Sequence, residues 1–110
     1  MKLNVLASLV LLSALSVGAP ALAQQDALLK KNGCYACHRD VGRMVGPGYN
    51  EVAEKYRGEL GAEARLELEA RLERKVRNGG SGVWGQLVMP PHPAIAEAEL
   101  KAMITTIRRR

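Results

Sequence analysis

Apolar residues fall into two regimes along this chain. From Leu3 to Val17 they are nearly continuous, broken only by Asn4, Ser8, Ser13 and Ser16. Beyond residue 24 they recur at helical spacing among charged positions. Asp26 predicts the cap of a short helix through Leu28 and Leu29 to Asn32, ended by Gly33. Gly42, Gly46, Pro47 and Gly48 make residues 39–49 a loop. A second short helix is predicted from Glu51 to Tyr56, with Gly58 and Gly61 separating it from the next. The third and longest runs from Ala62 to Arg77. Leu60, Ala64, Leu68, Leu72 and Val76 recur at every fourth residue and form one apolar stripe. Glu67 with Arg71, and Glu73 with Arg77, read as i, i+4 pairs on the solvated face. Leu66 lies off the stripe. Asn78-Gly79-Gly80-Ser81-Gly82 breaks the pattern, and the prolines at 90, 91 and 93 exclude a helix there. A final helix from Ile95 to Arg108 gathers Leu100, Met103, Ile104 and Ile107 on one face. No strand and no internal repeat is legible, so the fold class is all-α, about four short helices.

The continuous apolar run changes the domain picture. It follows a positive start, Met1-Lys2, and precedes the breaker Gly18-Ala19-Pro20 and the A-x-A site Ala21-Leu22-Ala23. Residues 1–23 therefore read as a cleaved secretory signal peptide, and residues 24–110 as one small exported domain. The run is short for a bilayer and lacks a basic stop-transfer cluster, which predicts no stable membrane insertion. The leader looks bacterial, so the expected compartment is the periplasm.

Composition adds a constraint on the core. With one Trp, three Tyr and no Phe, the chain is poor in large apolar plates. Small domains of this kind often lean on a staple or a cofactor. The formal charge is +5, of which the leader holds only Lys2. A mildly basic surface suits an acidic docking partner. Positive residues are mixed with glutamates and no aromatic stacking platform accompanies them, which argues against nucleic acid. Arg108-Arg109-Arg110 reads as a solvated helix end that suits the dipole.

The chemistry concentrates in Cys34-Tyr35-Ala36-Cys37-His38, a C-x-x-C-H run holding both cysteines of the chain. This is the attachment signature for c-type haem: each thiol can add across a vinyl group, and the imidazole can reach the iron. The other reading is a redox dithiol or local disulfide, against which the absence of a βαβ pattern argues. A haem iron held by His38 needs a group on its other face: water, a second His, Lys or a Met thioether. Met89 stands out, between Gly85 and Pro90-Pro91, where prolines could present one sulfur rigidly. A loop methionine otherwise fills gaps in a core.

Gly33-Cys34-Tyr35-Ala36-Cys37-His38, Met44-Val45-Gly46-Pro47, Asn78-Gly79, Gly82-Val83-Trp84-Gly85 and Met89-Pro90-Pro91 follow one another in this order. From about Ala27 to Ile107 the chain resembles a class I c-type cytochrome of the small bacterial c-551 (c8) type. The resemblance implies the small cytochrome c fold, with the helices wrapped around one covalently attached haem c and its iron. It implies that Cys34 and Cys37 carry the haem thioethers and that His38 and Met89 are the axial iron ligands. The Pro47 carbonyl would accept from the other His38 nitrogen, and the Trp84 indole would donate to a haem propionate. Met44 would pack a wall near the haem edge. His92 stands where relatives often have Asn; it could donate to the ligand sulfur, compete as a ligand or sit on the surface, and the surface is the expected place. The Ala62–Arg77 helix is longer than expected, and Thr105 and Thr106 stand where relatives bring an aromatic.

The function implied is a soluble periplasmic monohaem electron carrier, a monomer and not an enzyme. Its redox partners would be a quinol-oxidising complex as donor and a terminal oxidase or nitrite reductase as acceptor. The alternatives are a five-coordinate haem protein with peroxidase-like or gas-binding activity, and a thiol–disulfide redox protein. Service as a subunit of one enzyme complex is also open.

Overall fold

The structure, a computed structural model, describes residues 19–58 and 61–110, with side chains described from residue 25 onward. The apolar run of the expected leader and Leu60 of the expected stripe lie outside the described residues. Among the described residues the elements are α1 (Ala19–Lys31), α2 (Tyr49–Lys55), α3 (Ala62–Asn78), β1 (Gly80–Gly82), β2 (Gly85–Met89) and α4 (Glu97–Arg108). A single 3₁₀ turn, Cys34–Ala36, follows α1.

Helix α4 organises the rest, because α1, α2 and α3 all pack against it. Its Leu100, Met103, Ile104 and Ile107 are buried and join Leu29 of α1, Tyr49 and Val52 of α2, and Ile95 in one cluster. Their spacing is the i, i+3, i+4, i+7 set that puts apolar residues on one face of a helix. Burying each such side chain contributes roughly 1.5–3 kcal/mol. Where α1 meets α4, a polar contact stands in the place expected for an aromatic. The buried Thr106 hydroxyl lies 2.6 Å from Gln25 Oε1 and 3.0 Å from the Ala102 carbonyl. On α3 the stripe is as expected: Leu68 is fully buried, and Leu72 and Val76 pack against the core.

Several local expectations need correction. In the 110-residue chain helix α1 begins at Ala19, ahead of Asp26, whose carboxylate pairs with Arg110 instead of capping the helix. Helix α2 begins at Tyr49, after Gly48, whose N–H donates to the Glu51 carboxylate (2.6 Å) in half of a capping box. Arg77 does not pair with Glu73; its guanidinium donates to the Ile95 carbonyl (3.0 Å), tying α3 to the segment before α4. The arginine run is not simply solvated, since Arg108 pairs with Glu69 and Arg110 with Asp26.

The segment after α3 forms an antiparallel hairpin rather than a strandless loop. Gly80 faces Met89 and Gly82 faces Gly85, with an irregularity between. Glycine makes this possible: Gly79, Gly80, Gly82 and Gly85 all have positive φ, a region other residues rarely enter. The same glycines hide the strands from a propensity reading, which looks for β-branched and aromatic residues. The hairpin ends at Met89, so its register decides where that side chain stands.

Candidate functional site

Helix α1 ends at Lys31, and Gly33 (φ 73°) turns the chain out of it. The next residues wind into one tight turn. The Cys37 and His38 amides both donate to the Cys34 carbonyl, at 3.2 and 3.0 Å. A turn of this pitch sets Cys34, Cys37 and His38 on the same side, and all three line one cavity. The thiols are free rather than joined in a disulfide.

The loop after the turn fixes the imidazole. His38 Nδ1 lies 2.8 Å from the Pro47 carbonyl. A carbonyl only accepts, so Nδ1 carries the proton and Nε2 keeps its lone pair. The Tyr49 ring stacks on the imidazole, with centroids 5.3 Å apart and planes 15° apart. Gly46 passes so close that a Cβ there would lie 2.5 Å from His38 Cε1. Its amide donates to the Cys37 carbonyl (2.8 Å), which pins the loop to the turn. Burial raises the Cys34 thiol pKa. Burial, then the neighbouring Cys34, raise that of the Tyr49 phenol.

Across the cavity stand Trp84 and Met89 from the hairpin. Gly79 is packed against the Met89-Pro90-Pro91 backbone, and a Cβ on it would lie 2.2 Å from the Met89 carbonyl oxygen. The His92 amide donates to the Val76 carbonyl (3.0 Å), holding the end of this segment to α3. The Trp84 ring has Lys55 Nζ 5.4 Å from its centre, and its carbonyl accepts from Arg43 (3.1 Å). The rest of the wall is apolar, with Leu29, Val52, Leu72, Leu100 and Ile104 among its members.

The cavity thus gathers Cys34, Cys37, His38, Trp84 and Met89, while Pro47 stands directly behind His38. Met44 does not belong to the wall; it is exposed (38%). His92 is not on the surface. It is half-buried in the cavity wall, and its Nδ1 is buried without a partner. Tyr49 and Lys75 also line the cavity, and neither was singled out from the sequence. Both carried a signal: Lys75 lies three residues past Leu72 on the stripe face, and Tyr49 lies three before Val52.

The donor set specifies what the cavity suits. Two thiols, two imidazoles (His38, with a free Nε2, and His92) and two thioethers (Met89, and Met103 whose sulfur accepts from the Asn32 amide at 3.7 Å) share a mostly apolar enclosure. Among the described residues no group of three His, Cys, Asp or Glu side chains is placed to hold a bare metal ion. A flat apolar group carrying its own metal, attached through sulfur, fits these walls. The unpartnered His92 nitrogen is a polar site such a group would bring into use.

Comparison with known proteins gives a consistent result. Cytochrome c-551 of Allochromatium vinosum is 42% identical over 95 residues, spanning 86% of this chain and 94% of its own. Cytochrome c-552 of Nitrosomonas europaea is 41% identical over 91 residues, spanning 83% and 82%. The crystal structure of that wild-type cytochrome c552 superposes with a TM-score of 0.66 at 37% identity, covering 76% of this chain and 96% of the other. The class 1 cytochrome MtoD of Sideroxydans lithotrophicus superposes with a TM-score of 0.64 at 25% identity, covering 80% and 94%. No family model matches the chain.

Proposed function

This chain belongs to the class I c-type cytochromes, and from that premise we propose that it is a periplasmic carrier docking through the rim of its haem cavity. Like its relatives it carries one covalently bound haem c with iron, transfers electrons rather than catalysing a reaction, and works with redox partners. When bound, the haem supplies an iron that takes up or releases one electron. The chain's own residues do the rest. Cys34 and Cys37 hold the group through thioether bonds. His38 and Met89 would hold its iron, which would leave no position for a substrate. The Pro47 carbonyl keeps the His38 proton on Nδ1 and makes the ring more basic. The thioether of Met89 favours the reduced state. Trp84 would offer its indole N–H to a propionate, and the apolar walls would exclude water.

Electron exchange needs an exposed rim, and two segments provide it. Val41, Met44 and Val45 on one, and Val83, Leu87 and Val88 on the other, are exposed apolar side chains. Arg43 joins the two segments through the Trp84 carbonyl. A small apolar rim of this kind suits brief docking. The partners we assign are a quinol-oxidising complex as donor and a terminal oxidase or nitrite reductase as acceptor. Residues 1–23 take the chain to the periplasm as a cleaved signal peptide, and residues 24–110 work there as a monomer. Among the described residues no helix is long and apolar enough to cross a membrane.

One observation carries the site assignment: two thiols, a tautomer-fixed imidazole and a thioether line a single apolar cavity. The test is the visible spectrum, oxidised and reduced, of protein matured in a periplasm with haem-attachment machinery. A ferric iron–thioether band is expected. Its absence, with rapid carbon monoxide binding by the native protein, would overturn Met89 as a ligand and favour the five-coordinate reading.

A further inference from the structure

A second recess lies between α3 and α4. Arg65, Leu66 and Glu69 line it from the first half of α3, and Thr105, Arg108 and Arg109 from the end of α4. It shares no residue with the haem cavity. On α4, where each residue advances about 100° around the axis, Thr105 falls on the side away from Met103, Ile104 and Ile107, while Arg108 flanks that face and Arg109 follows the helix end. None of its lining residues is among the rim residues Val41, Met44, Val45, Val83, Leu87 and Val88.

Its chemistry is unusual for a solvated helix face. Leu66 is 69% exposed and lies off the buried stripe of α3, so packing does not account for it. Glu69 is already paired with Arg108. Arg65 and Arg109 form no ion pair among the described residues. The recess thus presents two uncompensated guanidinium groups around an exposed leucine. Arginine is the cation suited to binding carboxylates in pairs, and it desolvates more readily than lysine.

We propose that this recess docks an acidic segment of a protein partner, a glutamate- or aspartate-rich stretch with one apolar side chain that covers Leu66. Charge complementarity selects the acidic residues, and Leu66 selects the apolar one. The concave shape favours a peptide segment over a flat lipid surface, which would meet the rim and not the floor. A carrier held here keeps its haem rim free, so tethering and electron exchange can occur together. Binding at this site does not depend on the ligand assignments at the haem.

The test is an NMR titration of isotope-labelled holoprotein with a synthetic glutamate-rich peptide carrying one central leucine. Amide shifts are expected at Arg65, Leu66, Glu69, Thr105 and Arg109, with the haem-cavity residues unmoved. Added salt should weaken binding, because exposed charges are screened beyond roughly 10 Å at 0.1 M. The double variant Arg65→Glu with Arg109→Glu should abolish it. Leu66→Ser should weaken it several-fold, but not for a peptide whose leucine is replaced by serine. Shifts spread over the whole basic surface, or centred on the haem rim, would overturn the proposal. So would phosphatidylglycerol vesicles that bind the chain through the same residues while the peptide does not.

Discussion

The two sides of the cavity are built on different principles. On one side His38 is held by directional contacts: the Pro47 carbonyl at 2.8 Å, the stacked Tyr49 ring, and the Gly46 backbone pressed against the imidazole. The loop that supplies them is itself tied down. The Tyr49 amide donates to the Arg39 carbonyl (2.9 Å), and the Gly42 amide to Asn50 Oδ1 (3.0 Å). On the other side Met89 is placed through its backbone, by the hairpin pairing with Gly80 and by the His92 amide held on the Val76 carbonyl. Gly79 accepts the Met89-Pro90-Pro91 backbone at close range, the prolines limit its dihedrals, and the preceding Leu87 and Val88 are exposed. A hard imidazole donor has a lone pair that must be aimed, and hydrogen bonds aim it. A thioether is a soft, adaptable ligand, so a backbone that brings it to the right depth is sufficient. The imidazole side therefore sets geometry, and the thioether side is where the site can yield.

Mutation should separate the two sides, and the largest effect is expected at the attachment they share. Cys37→Ser should remove one thioether link and most of the holoprotein yield, read by pyridine haemochrome and mass; normal yield of doubly linked haem would refute the attachment role. Next comes Met89→Ala. It should leave the haem attached, abolish the ferric thioether band, admit carbon monoxide and lower the reduction potential, since a ligand favouring ferrous iron is gone. An unchanged potential would remove Met89 from the site. Gly46→Ala and Gly79→Ala probe the supports themselves. Each forces a methyl into backbone or ring atoms, costing on the order of 1–3 kcal/mol, measurable as a shift in denaturant midpoint. Only Gly79→Ala should weaken the thioether band, while Gly46→Ala should perturb the His38 ring resonances. The reverse pattern would contradict the comparison. The smallest effect is expected for Arg43→Ala, which removes an exposed bridge between the sides. Its stability should stay within about 0.5 kcal/mol of the parent, and a larger loss would mean the two sides act as one unit.

How legible each part was in the sequence follows from how locally it is determined. Helices α3 and α4 were readable because their apolar periodicity records burial directly. The grouping of Cys34, Cys37 and His38 on one cavity was readable because the turn that presents them is contiguous. Asp26 misled because an acidic residue before an apolar run is a capping signal, yet the carboxylate is used by Arg110, 84 residues away. The hairpin was missed because glycine dihedrals, not strand propensity, create it. His92 was expected outside, since nothing local shows that its amide is bound to Val76 and its ring drawn into the wall. Lys75 was overlooked although its place three residues past Leu72 puts it on the stripe face that lines the cavity.

The place of α4 as the common partner of the other helices bears on the order in which the protein comes into being. Everything that presents the two thiols and the imidazole lies within one short turn, and such a turn forms in well under a microsecond-scale search of the chain. The enclosure requires α1 to meet α4, a closure as long as the 81-residue separation of Gln25 and Thr106. Closing so long a loop is entropically costly before its contacts repay it. A turn that forms locally would be presented before the long closure is made, leaving its two thiols accessible to attachment. A group joined there would offer Leu100, Met103, Ile104 and Ile107 of α4 an apolar surface to pack on, which would link covalent maturation to the last step of folding.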